Sequence, residues 1–243
     1  LDSTNRAAKE AAFSGEAGHG ALILARRQKS GRGRRGRSFY SPENAGLYMS
    51  IVLRPDRTLK EGLLITTAAA TAVCRAVKKI CGIDLGIKWV NDLYLHDRKV
   101  CGILTEAVTD FESGNIEFAV VGIGLNLYVP EDGFPEEIQE TAGALFGSRE
   151  AAEHVNCSIL VAEIANQLLM EVETPGLSRE YTENNIIPGN MIVITDGART
   201  REAYAEAIAP DGRLVVREQD GSETLLSYGE VSVRRKPDED QSK

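Results

Sequence analysis

Residues 31–36 read Gly-Arg-Gly-Arg-Arg-Gly, GRGRRG, and match the spacing G-x-G-x-x-G letter for letter. That spacing marks a dinucleotide-binding turn only where a helix opens inside it, so that a pyrophosphate meets free N–H groups and the positive end of a helix dipole. The apolar run ALILA at 21–25 suits a strand before the motif, but Phe39-Tyr40-Ser41-Pro42 and a second strand pattern, LYMSIVL at 47–53, follow it. The acidic residue required about 20 positions downstream is also missing, since Ser50, Ile51 and Val52 stand there. The doubly wound nucleotide fold is therefore rejected, and the hexapeptide is read as a loop between two strands.

Working outward, Ser3-Thr4-Asn5 supply an N-cap for a helix over 6–13. A longer apolar stretch at 63–80, with Lys78-Lys79 in its last turn and Gly82 behind it, predicts a helix that backs a sheet. Strand patterns follow at 87–90, 93–95, 99–108 and 117–126, then a looser region at 130–155 and an amphipathic helix at 158–172. Consecutive strands after a long helix predict an α+β fold with a mainly antiparallel sheet. Beyond Ile187-Pro188-Gly189 the texture changes to short alternating runs punctuated by Asp196-Gly197, Asp211-Gly212 and Asp220-Gly221, which are hairpin signals. They predict a small SH3-like β-barrel. The expected organisation is a catalytic domain at 1–185, the barrel at 186–236 and a disordered tail at 237–243.

The chain of 243 residues is 42% hydrophobic and 26% charged, the balance of a folded globular protein. Its net charge of −8 argues against nonspecific duplex binding, which rests on surplus cations, so no nucleic-acid partner is expected. Cys74, Cys81, Cys101 and Cys157 have no C-x-x-C spacing, and three His offer no zinc pattern. Reduced thiols in a cytoplasmic protein are the default. No apolar run approaches the roughly 20 residues a bilayer demands, so no membrane partner is expected.

The chemistry is concentrated in three stretches. Arg32, Arg34, Arg35 and Arg37, interleaved with Gly31, Gly33 and Gly36, can bring several bidentate forks to a phosphate or carboxylate. The alternative for the loop alone is a solvated basic segment or an RNA contact. Lys88-Trp89-Val90-Asn91-Asp92-Leu93 packs a cation, an amide and a carboxylate near a strand end, with Trp89 read as core. Asp97-Arg98-Lys99-Val100-Cys101-Gly102-Ile103-Leu104 adds a lysine at a hairpin exit and a glycine behind it.

Taken in order, LDSTN, GRGRRGRSFYSP, GLYMS, KWVNDLYL, DRKVCGIL and GIGLN resemble the biotin protein ligases, the biotin-[acetyl-CoA-carboxylase] ligases, across residues 1–126. The small C-terminal barrel fits the same family. The resemblance implies an enzyme that joins biotin and ATP into biotinyl-5'-AMP and passes biotin to one lysine of a biotin carboxyl carrier protein domain. Carried over motif by motif, Ser3, Thr4, Asn5 and Gln28 resemble the partners of the biotin head group. Gly31, Arg32, Gly33 and Arg34 resemble the loop over biotin, Arg37 a phosphate contact and Phe39 an adenine wall. Lys99 would bridge the biotin carboxylate and the α-phosphate, with Gly102 admitting the backbone close to the same carboxyl end. Lys88, Asn91 and Asp92 resemble the nucleotide and Mg2+ side, and Asn126 an adenine or ribose contact. Asp92 stands either as a metal ligand or as the base for the acceptor lysine.

The family's usual proline after the tryptophan is Val90 here, a change expected to affect local stiffness more than chemistry. The first matching motif starts at Leu1, so the resemblance is to a form lacking an N-terminal DNA-binding domain. It also allows a homodimer. Lipoate or octanoate ligases and transferases share the superfamily fold, and stay open as the alternative.

Overall fold

The computed structural model describes residues 1–110, 112–197, 199–227 and 232–235. Six strands, β1 (Leu22–Ala25), β2 (Gly46–Leu53), β3 (Gly86–Lys88), β4 (Asp92–Leu95), β5 (Arg98–Thr109) and β6 (Ile116–Asn126), form one sheet in the order β1-β2-β6-β5-β4-β3. Every neighbouring pair is antiparallel.

The two faces of this sheet are set by the two-residue period of its strands. Met49 and Ile51 of β2, Ile103 of β5 and Val121 and Ile123 of β6 point to one side, against α2 (Gly62–Cys81) and α3 (Cys157–Glu173). A short 3-10 turn, Leu59–Glu61, carries a Thr58–Glu61 capping box and leads directly into α2, which ends at Gly82, whose φ of 71° is the left-handed cap that glycine allows. Its buried residues include Ala68, Ala69, Ala72 and Ala76, small enough to seat the helix close on the strands. Asn156 caps α3 by accepting from the N–H groups of Ser158 and Ile159.

On the opposite face, α1 (Thr4–Phe13) packs Ala8 and Ala12 onto Val52, Phe118 and Val120. That helix covers only part of the sheet. Beyond its N-terminus the same face is carried by Ser50, Gly122, Gly124 and Gly102, and there the cleft begins.

A second antiparallel sheet contains β7 (Met191–Asp196), β8 (Arg199–Ile208), β9 (Leu214–Arg217), β10 (Glu223–Leu226) and β11 (Ser232–Arg235), ordered β10-β9-β8-β7-β11. The five strands fall on the five alternating runs read from the sequence, consistent with an SH3-like element. Gly197, Gly212 and Gly221 at its hairpin turns have φ of 57°, 85° and 83°, the conformation for which the Asp-Gly pairs are suited. Residue 236 and the tail at 237–243 lie outside the described residues.

Three expectations need adjustment. The strand placed over 87–90 stops at Lys88, because Trp89, Val90 and Asn91 form the turn into β4. A five-residue helix, α4 (Arg179–Glu183), was too short to show a period. The looser region carries local pairing: isolated bridges join Lys99 to Ala142 and Tyr128 to Phe146.

Candidate active site

Cross-strand partners share a face, so the ladder registers identify which residues lie side by side on the open face. Reading across all six strands, Ala25, Tyr48, Gly124, Gly102, Asp92 and Lys88 stand in one row. One step along, Ile23, Ser50, Gly122 and Leu104 make a parallel row. Large side chains are missing at Gly102, Gly122 and Gly124, and those three glycines form the floor. The ring of Phe39 lies on it: a Cβ on Gly124 would sit 2.5 Å from Phe39 Cε1, and one on Gly102 3.1 Å from Cε2.

A polar cluster borders one side of this floor. Gln28 Oε1 accepts from the Thr4 N–H at 2.9 Å and from Thr4 Oγ1 at 3.2 Å, while Gln28 Nε2 donates to Ser41 Oγ at 2.9 Å. The Ser50 hydroxyl lies 2.8 Å from Thr4 Oγ1 and 2.6 Å from Asn5 Oδ1. Asn5 Nδ2 donates to the Leu104 carbonyl at 3.2 Å and to Glu106 Oε2 at 3.1 Å, and Arg32 Nη1 reaches the same carboxylate at 3.2 Å. Ser3, Thr4, Asn5, Ser41 and Ser50 are buried, so these hydroxyls and amides sit in low-dielectric surroundings where an unmatched polar group is costly. Burial also pushes the Tyr48 phenol well above its ordinary pKa.

The ionic side lies at β4 and β5. Lys99 Nζ sits 2.7 Å from Asp92 Oδ1, an ion pair in which both side chains keep partial exposure at 32% and 24%. A Cβ on Gly102 would stand 3.2 Å from Lys99 Nζ, which puts the ammonium at the edge of the glycine floor. Asn91 is fixed on both ends: its Nδ2 donates to Ile103 O at 2.8 Å, and the Ile103 N–H donates to Asn91 O at 2.9 Å. Arg34 Nη1 crosses from the loop to Asn91 Oδ1 at 3.0 Å. Residues 31–36 are thus tied to the Trp-Val-Asn-Asp turn, 57 positions later in sequence.

The loop itself is a small hairpin. The Phe39 N–H donates to Gly31 O at 2.9 Å, Gly33 N–H donates to Arg37 O at 2.7 Å, and Arg32 bridges Ser38. Only a three-residue turn, Arg34–Gly36, is helical, which is why no dinucleotide-type helix dipole is offered. Gly31 serves close packing rather than mobility, because a Cβ there would collide with Phe39 O and stand 2.7 Å from Ser41 Oγ.

Hydrogen bonds, the Lys99–Asp92 pair and close approaches to glycine connect Thr4, Asn5, Gln28, Gly31, Arg32, Arg34, Phe39, Asn91, Asp92, Lys99 and Gly102 on one face of the sheet, with Ser3 and Gly33 beside them in the chain. Lys88 stands at the far end of the row, its Nζ 5.3 Å from the Tyr94 ring centre and 3.4 Å from the Tyr94 hydroxyl. The Arg37 side chain is exposed on the loop. Asn126 Nδ2 donates to Gly143 O at 2.8 Å, while the Gly143 N–H donates to Lys99 O at 2.8 Å. Asn126 therefore braces the segment that flanks Lys99. Glu106, Ser50 and Ser41 were missed from sequence. The i, i+2, i+4 spacing of Gly102, Leu104 and Glu106 on one strand was the available signal for Glu106.

Among the described residues no group of three His, Cys, Asp or Glu could hold a metal ion, and no helix is long and apolar enough to cross a membrane.

The profile of the Biotin/lipoate A/B protein ligase family matches residues 1–126, and the chain belongs to that family. Among its relatives, the biotin--[acetyl-CoA-carboxylase] ligase of Paracoccus denitrificans is 30% identical over 240 residues, covering 92% of this chain and 94% of that protein. The bifunctional ligase/repressor BirA of Bacillus subtilis is 35% identical over 164 residues, 68% of this chain; the match spans 49%, about half, of that relative's length. In fold, the biotin protein ligase from Aquifex aeolicus, solved in complex with biotin and ATP, superposes with a TM-score of 0.78 over 97% of this chain and 96% of that one, at 24% identity.

Proposed function

We propose that this chain is a biotin ligase: it condenses biotin with ATP to biotinyl-5'-AMP and pyrophosphate, then transfers biotin to a lysine of a biotin carboxyl carrier domain. The observation that carries this reading is the glycine-floored cleft with two different walls. One wall is neutral and rich in matched donors and acceptors, the other cationic.

The neutral wall suits a bicyclic urea, which offers two N–H donors and one carbonyl. Gln28, Thr4, Ser50 and Asn5 already exchange hydrogen bonds there, so a ligand replacing some of them meets groups held in place. Ser3, Gly31, Arg32 and Gly33 would close around it. The three glycines seat the Phe39 ring, the Asn5 amide and the Lys99 side chain close on the sheet, and the carboxyl arm would run past Phe39 toward Lys99.

In the first step a biotin carboxylate oxygen attacks the α-phosphorus, forming a mixed anhydride as pyrophosphate departs. Two anions must meet, and charge builds on the phosphoryl oxygens, so preorganised cations lower the barrier. Lys99 and Arg34 are assigned that role, with Arg37 reaching the departing phosphates. Lys88, Asn91, Phe39 and Asn126 complete the nucleotide side, Asn126 through its brace on the segment beside Lys99. In the second step the neutral amine of the acceptor lysine attacks the acyl carbon and AMP leaves. Asp92, placed by Lys99, is assigned to accept the amine proton. Water must be kept from the anhydride meanwhile, a task for the hairpin at 31–39.

Among the residues assigned to the nucleotide side Asp92 is the one carboxylate, and that group is paired with Lys99. The magnesium ion is therefore assigned to the triphosphate, and no step here runs through it. We assign residues 1–185 to the catalytic domain and 186–236 to the barrel, a cytoplasmic setting, and a carrier domain as partner; a homodimer would be scored by light scattering.

The test is incubation of the protein with biotin, Mg-ATP and a carrier domain. The expected result is a biotinyl mass increment on one carrier lysine and biotin-dependent exchange of pyrophosphate into ATP. Exchange with lipoate or octanoate but not biotin would overturn the substrate assignment.

A further inference from the structure

The twelve residues 26–37 hold seven of the chain's 28 Lys and Arg and no acidic residue, in a protein with 36 Asp and Glu. The site absorbs only part of this charge. Arg34 reaches Asn91 and Arg32 pairs with Glu106, both turned toward the cleft. Arg26, Arg27 and Lys29 are exposed and make no ion pair with any described residue.

Their backbone, by contrast, is pinned. The Arg26 carbonyl accepts from Asn44 N–H at 3.3 Å, Gln28 N–H donates to Ser41 O at 3.2 Å, and Lys29 N–H donates to Leu1 O at 3.1 Å. Between the outward cations, Gln28 turns inward to Thr4 and Ser41. Arg27 and Lys29 therefore flank the inward-facing Gln28 at the rim of the cleft, next to the edge strand β1. The acidic residues on the segments hydrogen-bonded to this stretch are Asp2 and Glu43, both exposed and neither paired with it.

Exposed cations on a held backbone, unpaired among the described residues and beside the site of a chain otherwise strongly acidic, mark a local reversal of field. A nucleotide's phosphates are compact and would be engaged at the Lys99 wall, away from Gln28. A long polyanion would be opposed by the net charge of −8 once it ran past the rim. An acidic patch on a folded partner fits both constraints, because at physiological salt the field decays within about 8 Å.

We infer that Arg26, Arg27 and Lys29 form a docking rim for the acceptor domain, and that the acceptor's surface beside its target lysine is acidic. This rests on the ligase reading and names the surface chemistry of its protein substrate. Rim charges act mainly on encounter rate and on salt dependence, so transfer should respond while adenylate formation does not.

The experiment compares wild type with the Arg26→Gln/Arg27→Gln/Lys29→Gln variant and with the corresponding triple change to Glu. Each is measured for biotin-dependent pyrophosphate exchange and for the KM of a biotin carboxyl carrier domain between 20 and 300 mM salt, on the order of the range over which screening changes. The expected result is unchanged exchange, a carrier KM raised about ten-fold at low salt in the Glu variant, and a flattened salt dependence. A carrier whose acidic residues around the lysine are changed to amides should show the same loss with wild type. Normal exchange with an unchanged carrier KM and salt slope would overturn the inference. So would loss of exchange in the Gln variant, which would assign the rim to the nucleotide, or salt-sensitive RNA binding lost in the variants without any carrier effect. Wild type that exchanges no pyrophosphate would defeat the ligase reading instead.

Discussion

At the scale of single residues, Lys99 carries the sharpest expectation. Its ammonium is partly exposed and paired with a partly exposed Asp92, so little stability rests on it, and the exposed pair is worth about 1 kcal/mol at most. Lys99→Ala should leave the thermal midpoint nearly unchanged while lowering biotin-dependent pyrophosphate exchange by about 100-fold or more. Near-normal exchange would remove Lys99 from the chemistry. Gly122 poses the opposite case, since nothing charged is lost but a Cβ would collide with Asn5 Oδ1. Gly122→Ala must displace an amide held by Ser50 and Leu104. Overpacking there should cost about 1–3 kcal/mol in denaturant melts. The biotin KM should rise about ten-fold, the equivalent of about 1.4 kcal/mol. An unaffected KM would mean that Asn5 does not border the biotin pocket.

At the scale of elements, the turn between β3 and β4 is held from outside the cleft. Tyr181 of α4, fully buried, donates its hydroxyl to Val90 O at 3.0 Å, and Trp89 Nε1 donates to Gly212 O at 2.9 Å, in the hairpin turn before β9. Both bonds grip the two residues just before Asn91 and Asp92. Tyr181→Phe keeps the ring and strands a buried carbonyl, a loss of about 1–3 kcal/mol by melt. Because the turn carries Asn91, the KM for ATP should rise in a protein still folded at assay temperature. A melt that shifts with no change in KM would leave Tyr181 a purely structural group. None of this was legible beforehand: α4 spans five residues, too few for a period, and its partner lies 91 positions away. Strands β2, β5 and β6 were legible because their alternation or apolar runs are long.

At the scale of the whole molecule, one buried cluster runs from the layer of α2 and α3, through the six-stranded sheet, into Ile192, Ile194, Leu214 and Val216 of the second sheet. Its thiols provide a probe of that packing. Burial pushes the Cys74 thiol up to about 12 from an ordinary 9.0. The unfolded chain loses this proton first, so ionisation of the thiol favours the unfolded state as pH rises from about 9 toward about 12, and stability measured by denaturant should decline across that window. At pH 8 an alkylating reagent should modify exposed Cys157 and leave Cys74 and Cys101 intact until the fold opens, as mass spectrometry would show. Rapid labelling of Cys74 in the native protein would contradict the closed core. By itself the sequence determined the elements whose signals are local: the strand runs, the capped helices, the Asp-Gly hairpins and the stretches holding arginine, lysine and glycine. It could also exclude the dinucleotide turn, since the residues after GRGRRG do not start a helix. Only the tertiary structure decided that Gly102 and Gly124 are neighbours and that Glu106 joins Asn5 to Arg32. It also decided that Asn126 braces the segment at Gly143 beside Lys99, and that Gly31 is closely packed. Those relations depend on strand register and on side chains meeting across tens of residues, and spacing along a chain does not encode which rows of a sheet come to lie side by side.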